Sequence, residues 1–228
     1  MSLRGEILPV GDAAVLAVLG DTITPETVAR VWSLHASLKR ALGDAIADVA
    51  PAYGSVLVRF NPSVTQLAIV MATVRGAMET ADETAASHSR TVDVGVSFSA
   101  ENALDLEDVA AQTGLRPDEV RAEFCRPTYR VAFLGFIAGF PYLIGLSEKL
   151  KLPRLATPRV RVPAGSVGFA AGQAGIYPRA SPGGWRIVGK TSATIFDPKR
   201  EHPATFRPGD AVRFHPVTSL NEAQATIV

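Results

Sequence analysis

The residue types and spacings that can do chemistry lie mainly between positions 149 and 196. Lys149, Lys151, Arg154, Arg159, Arg161, Arg179, Arg186 and Lys190 fall in that stretch, which holds no Asp or Glu and so carries +8 in a 228-residue chain of net charge +1. An acid-free surround of this kind favours a carboxylate or a phosphate electrostatically. It serves equally as a solvated face or a docking surface for an acidic partner. The cations are spaced among Gly and Pro, without the aromatic-basic signatures of RNA binders or a recognition-helix pattern, so nucleic acid is not expected. Two turns add polar groups to the cations. Pro163-Ala164-Gly165-Ser166 follows an apolar run, and Ser181-Pro182-Gly183-Gly184-Trp185 precedes another. Glycines there let a ligand approach the backbone, whose exposed N–H groups form anion nests, and tight barrel corners share the same composition.

Other motifs carry less. Gly184, Gly189, Lys190 and Thr191 satisfy the phosphate-loop pattern G-x-x-x-x-G-K-[ST]. That loop must open a helix. Trp185 to Val188 instead reads as a strand, and TSATIF at 191–196 is β-prone with no helix start. His35, His88, His202 and His215 stand far apart without metal-ligand spacing, so no metal site is expected. The lone Cys125 rules out an internal disulfide framework, lacks a nucleophile signature and reads as a buried structural thiol. Its solitude favours a reducing compartment, with the cytoplasm as the expected location. No residue is an evident nucleophile or general base.

The scaffold that must position these groups changes texture along the chain. At 47% hydrophobic and 20% charged residues it folds, and no window approaches 18 uncharged apolar residues, so no membrane span is expected. Acidic Glu6 and Asp12 come too early for a signal peptide. Glu6 to Pro9 and Ala13 to Leu19 read as strands split by the Gly11-Asp12 turn. Val28, Val31, Leu34, Leu38 and Leu42 recur at helical spacing up to Gly43. Strands at 46–49 and 55–60, a helix over Ser63 to Met78 and a strand over Thr91 to Phe98 complete the order ββαββαβ, compatible with a small α+β sandwich ending near residue 90. Leu106 to Gln112 and Pro117 to Phe124 read as two short helices, the first capped by Asp105. From Tyr129 short β-prone runs broken by Gly and Pro suggest a closed or nearly closed barrel.

The strings GFIAGFPYLIGL, PRLATPRVRVPAGSVGFAAGQAGIYPRASPGGW, VGKTSATIFDP and PGDAVRFHPV closely resemble the allophanate hydrolase subunit 1 family, as do GEILPVGDAAVLAVLG, VAPAYGSVLVRF and DLEDVA earlier in the chain. That family includes 5-oxoprolinase B subunits, Kip-type inhibitors of sensor histidine kinases and a segment of urea carboxylase. The resemblance implies an α+β, ferredoxin-like domain over 1–90. A cyclophilin-like β-barrel domain over 91–228 follows, with a helical connector at 104–125. It also implies a hydrolase subunit inactive alone, in a complex that uses ATP with Mg to open 5-oxoproline to L-glutamate and holds no tightly bound cofactor. The implied partners are an allophanate hydrolase subunit 2-type protein, which is the 5-oxoprolinase C subunit, together with the A subunit and a small amide substrate. Alternatives within the resemblance are a regulatory protein docking on a histidine kinase and a hydrolase subunit for another amide or urea derivative. Phosphorylating the lactam oxygen would create a better leaving group, and cations would stabilise the developing charge. On that basis Arg154 and Arg159 are the expected anion clamps and Gly165 and Ser166 the anion donors. Gln173, Tyr177 and Ser181 are expected to orient substrate, with Lys190 a further anion ligand. Catalytic residues are not identified. The chain departs from the family pattern at Phe124, where His is usual, and at Ala174, where Thr is usual. It departs again at Ala138, Lys190 and Ser192, where Pro, Arg and Pro are common.

Overall fold

Val15, Ala17 and Leu19 alternate along the chain and are all but fully buried, so the strand that carries them has one face to cover. The structure, a computed structural model, describes residues 5–81 and 90–228. It divides the chain into two compact units, Met1–His88 and Ser89–Val228. In the first, β1 (Glu6–Val10) and β2 (Ala14–Val18) form a hairpin. Helix α1 (Pro25–Leu42) follows Thr24, whose hydroxyl accepts the Thr27 N–H at 3.2 Å, with Pro25 preset for the first turn. Its Val28, Val31, Leu34 and Leu38 are buried. Then come β3 (Ile46–Pro51), β4 (Ser55–Phe60) and α2 (Leu67–Glu79). The sheet is antiparallel throughout in the order β1-β2-β4-β3, so α1 crosses from β2 to β3 past β4, and both helices share one core with the sheet. Helix α2 starts four residues later than Ser63 because Asn61 holds a turn there. Its Oδ1 accepts the Ser63 N–H at 3.0 Å and its carbonyl those of Val64 and Thr65.

The second unit begins with β5 (Thr91–Ser97), α3 (Leu106–Thr113) and α4 (Pro117–Cys125). Strands β6 (Thr128–Leu134), β7 (Pro141–Ile144), β8 (Arg159–Val162) and β9 (Ser166–Ala170) follow. After them run β10 (Gln173–Ile176), β11 (Ser181–Gly183), β12 (Arg186–Lys190), β13 (Ala211–Val217) and β14 (Ala225–Ile227). Seven strands close into a ring in the order β12-β9-β10-β7-β6-β13-β5, with β5 bonded back to β12. The strand expected at Thr91 to Phe98 therefore belongs to this barrel and not to the first sheet. Its pairing with β13 is parallel, and every other neighbouring pair in the ring is antiparallel. Closure on the far side rests on one pair, Lys190 opposite Ser97, and β14 takes the rest of that edge of β5. Gly189 is required at this seam, because a Cβ there would stand 2.4 Å from Val96 Cγ1.

The barrel interior is apolar. Phe124, at the end of α4, enters it and lies 5.0 Å from Phe214 and 5.6 Å from Tyr129, ring centre to ring centre. Phe124 and Ala174, the two departures from the family pattern that remove a His and a Thr, are both fully buried in this core. Strands β8 and β11 form a separate ribbon beside the barrel. A second, smaller core of Phe140, Val162, Ala170, Tyr177, Trp185 and Ile187 packs there.

Candidate functional site

The smaller core opens into a cleft of about 270 Å³ walled by Phe136, Phe140, Tyr142, Tyr177 and Trp185, with Arg154 on its rim. Phe140 is the hub. The Tyr177 and Trp185 rings meet it edge-on at 5.1 and 5.3 Å, and Tyr142 lies 5.0 Å away. Glycine at 183 lets the Tyr177 ring lie flat over the ribbon, since a Cβ there would stand 2.4 Å from the hydroxyl oxygen. Burial pushes the Tyr177 hydroxyl up to about 12, against the opposite pull of the Trp185 backbone N–H and the guanidinium groups of Arg154 and Arg159. It is therefore neutral at physiological pH and keeps a proton to donate. Tyr142 is raised for the same reason, burial, with Arg154 again opposing. Phe136 projects with 62% of its surface exposed and a left-handed φ of 63°.

Arg154 is exposed and makes no ion pair among the described residues. Its segment is anchored by the Leu155 N–H, which donates to the Gly184 carbonyl at 2.8 Å. Arg159, expected beside it as a clamp, is committed elsewhere. Its Nη2 donates to Asp105 Oδ1 at 2.5 Å, and its Nη1 is buried without a hydrogen-bond partner. Arg186, only 5% exposed, bonds Asp108 through Nη1, Gln112 through Nη2 at 2.9 Å and the Pro153 carbonyl through Nε at 3.2 Å. Lys149 pairs with Glu123 at 3.1 Å and Lys151 with Glu148 at 3.3 Å. Half of the eight cations of the acid-free stretch are thus matched by acids brought from positions before it. Asp105 does not cap α3 as its position suggests. Its carboxylate faces away from the helix start, accepting from Arg159 and from the Ile187 N–H at 2.6 Å.

The remaining expected residues separate. Ser181 stands on β11 next to Pro182 of the cleft wall, buried, with its hydroxyl unpartnered. Gly165 and Ser166 are spent on the barrel. The Gly165 N–H donates to the Tyr177 carbonyl at 2.8 Å, its carbonyl accepts from Thr191 at 2.9 Å, and the Ser166 N–H goes to Pro163 at 3.3 Å. That leaves neither backbone N–H free for an anion. Lys190 pairs opposite Ser166 and Ser97 at the barrel closure, and Gln173 starts β10 opposite Ala170, both away from the cleft. Arg186 to Lys190 is a strand and no helix follows it, so the phosphate-loop pattern forms no phosphate loop. Burial pushes the Cys125 thiol up to about 12, which makes it unreactive at neutral pH.

The cleft therefore offers an apolar, aromatic bed, one free guanidinium and two neutral phenols. Its lining holds no carboxylate, imidazole or thiol, so it binds and orients without supplying a general base. Among the described residues no group of three His, Cys, Asp or Glu can hold a metal ion; His88 lies outside them. No helix among them is long and apolar enough to cross a membrane. Residues 5–206 match the carboxyltransferase domain family, subdomains C and D. The chain belongs to that family. Within it, the chain is 38% identical over 214 residues to the 5-oxoprolinase B subunit of Escherichia coli O157:H7, a match spanning 93% of this chain and 96% of that protein. The crystal structure of TTHA0988 superposes with a TM-score of 0.81 at 34% identity, covering 90% of this chain but only 40% of that longer one. The Kluyveromyces lactis urea carboxylase shares the fold, with a TM-score of 0.76 at 20% identity over 96% of this chain and 22% of that one.

Of the residues expected from the sequence, Arg154 and Tyr177 line this cleft. The Gly135 to Leu143 segment, which supplies Phe136, Phe140 and Tyr142, is not among the expected site residues. The partners of Arg159 and Arg186 escaped sequence reasoning, because nothing local links positions 159 and 186 to Asp105 and Asp108.

Proposed function

We propose that this chain is the B subunit of a 5-oxoprolinase, active only within a heteromeric complex. The complex uses ATP and Mg to open 5-oxoproline to L-glutamate. The observation that carries this reading is the end-to-end likeness to a 5-oxoprolinase B subunit, which leaves almost no part of either chain unmatched. The cleft suits the same reading. A five-membered lactam lays its methylenes on Phe140 and Trp185, its carboxylate meets Arg154, and Tyr177 donates to the carbonyl oxygen. Attack of that oxygen on the γ-phosphoryl group releases ADP. Water then adds at the activated carbon, the C–N bond opens with the nitrogen taking a proton to leave an acyl phosphate, and a second water releases phosphate and L-glutamate. The lining has no base for the water, so that group comes from a partner of the allophanate hydrolase subunit 2 type, the C subunit of the complex, with the A subunit completing the assembly. In the same reading the unit over 1–90 is ferredoxin-like, which its antiparallel order with α1 crossing past β4 suits. The unit over 91–228 is a cyclophilin-like barrel, and the protein works in the cytoplasm.

The test is 5-oxoproline-dependent ATP hydrolysis by this chain alone and after coexpression with the A and C subunits. Turnover only in the assembly supports the reading. A folded, verified complex without turnover sinks it and returns weight to another amide substrate or to a kinase-docking role.

A further inference from the structure

The barrel carries a second concavity with different chemistry. Where β12 leaves the ring after its single pair with β5, Thr191 and Ser192 turn aside to bond the Ala223 carbonyl, at 2.5 Å from Thr191 Oγ1 and 2.9 Å from the Ser192 N–H. The chain from 193 to 207 then runs over the seam, and a pocket of about 310 Å³ lies between it and β14. Arg90, Arg200, His202 and Arg207 line it together with Thr194 and Gln224, and its lining contains no acid.

The guanidiniums are held from behind. Asp210, 3% exposed, takes Arg90 in a two-point bond at 3.2 and 2.5 Å, and the same carboxylate accepts the Arg207 backbone N–H at 2.8 Å. Arg90 also donates to the Thr205 carbonyl at 3.2 Å. One buried carboxylate thereby fixes both the side chain of Arg90 and the backbone under Arg207. Arg200 is matched at 3.5 Å by Asp197, while the Arg207 side chain, exposed, has no ion pair among the described residues. The pocket therefore keeps surplus positive charge beside a threonine hydroxyl, while the Gln224 amide nitrogen is already bound to Ser192 Oγ at 2.9 Å. Guanidinium forks with a hydroxyl neighbour match tetrahedral oxyanions better than a lone carboxylate.

We propose that this seam pocket binds the phosphoryl group of a small molecule. It shares no lining residue with the aromatic cleft, and the two lie off opposite ends of β12. Eight residues lie between Trp185 and Thr194, so the two are at most ~30 Å of extended chain apart. Because the two linings share no residue, the ligand is taken as a separate occupant, and the proposal stands whether or not the cleft takes 5-oxoproline.

The experiment is titration of the ¹⁵N-labelled full chain with inorganic phosphate, with ATP and with hexaglutamate, read at the amides of Thr194, Arg207 and Gln224. The expected result is saturable shifts with phosphate or ATP that weaken about tenfold in Arg207→Glu and again in Arg207→Gln, and that fade at high salt. Arg154→Ala leaves them unchanged. Tighter binding of ATP than of phosphate assigns the pocket to a nucleotide, and equal binding to free phosphate. Shifts that survive Arg207→Glu, or no saturable shift with either ligand, overturn the proposal. Saturation by hexaglutamate alone also overturns it, in favour of an acidic peptide. Arg207 is solvent-exposed, so both variants fold; an unchanged spectrum away from the pocket verifies this.

Discussion

The α3 clamp and the aromatic cleft draw on the same acid-free stretch of cations and use them in opposite ways. Arg159 and Arg186 are turned inward onto Asp105 and Asp108, which fastens α3 to the ribbon and to β12. Arg154 is left in solvent above aromatic rings, without a counter-ion among the described residues. A surplus of charge along the sequence is thus no measure of charge at a site. What decides is whether a carboxylate from elsewhere in the fold arrives to neutralise it, and whether the guanidinium is still open to solvent when it does.

That contrast is open to direct attack. The largest effect belongs to the clamp. Asp105→Ala strands the Arg159 guanidinium and leaves the Ile187 N–H without its carboxylate, at a cost of about 3–5 kcal/mol in chemical denaturation. A loss under about 1 kcal/mol would show that these cations are as free as Arg154. Gly165→Ala follows, at about 3 kcal/mol, because a Cβ there meets the Thr191 carbonyl oxygen at 2.1 Å and the residue sits at φ 78°. Thermal melts should place it well below the parent. If the turn were instead an open anion nest, the substitution would cost ligand binding and spare the fold.

Arg154→Ala is expected to do the reverse. Stability stays within about 0.5 kcal/mol of the parent, as for other exposed sites. The KM for 5-oxoproline in the assembled complex rises by about tenfold or more, as expected when one charge-assisted contact is lost. Unchanged KM with lowered stability would dissolve the distinction between the two regions. The smallest effect is a matter of pH. Tyr177 is raised above the ordinary tyrosine value of 10, so the folded state holds its proton more tightly than the unfolded one. The stability it contributes is complete below pH 10 and is lost as the pH climbs toward about 12. Phenolate absorbance should show one tyrosine titrating near there, and Tyr177→Phe should remove it.

The elements were largely legible because their signals are local. Thr24-Pro25 and the spacing from Val28 to Leu42 give α1 its start and its buried face, and Gly43 its end. The late start of α2 was not legible, since the Asn61 side chain, rather than any periodicity, holds the turn before it. Closure of the barrel was expected from many short strands with turns between them, whereas the membership of β5 depends on a partner strand far along the chain. The site divides in the same way. Arg154 and Tyr177 lie in the segments whose composition drew notice. Arg159 was assigned to ligand because its counter-ion stands 54 residues earlier, and Asp105 to a helix cap because caps are local. The seam pocket left no signal at all, for its cations come from 90, 200 and 207 and converge only when the barrel closes.

The parallel pairing of β5 with β13 also sets a timetable. Arg213 and Asp93, which face each other across it, are 120 residues apart, and β5 carries buried Val92, Val94 and Val96. At roughly 5–20 residues per second of synthesis, β5 leaves the ribosome about 6–24 s before the strand that will cover it. Residues 6–79, whose four-stranded sheet and two helices share one core, are complete before that wait begins. A nascent chain of this protein is therefore half folded and half exposed for seconds, with an apolar strand at the junction. In the cell that interval, more than the finished barrel, is where chaperones and proteases meet it.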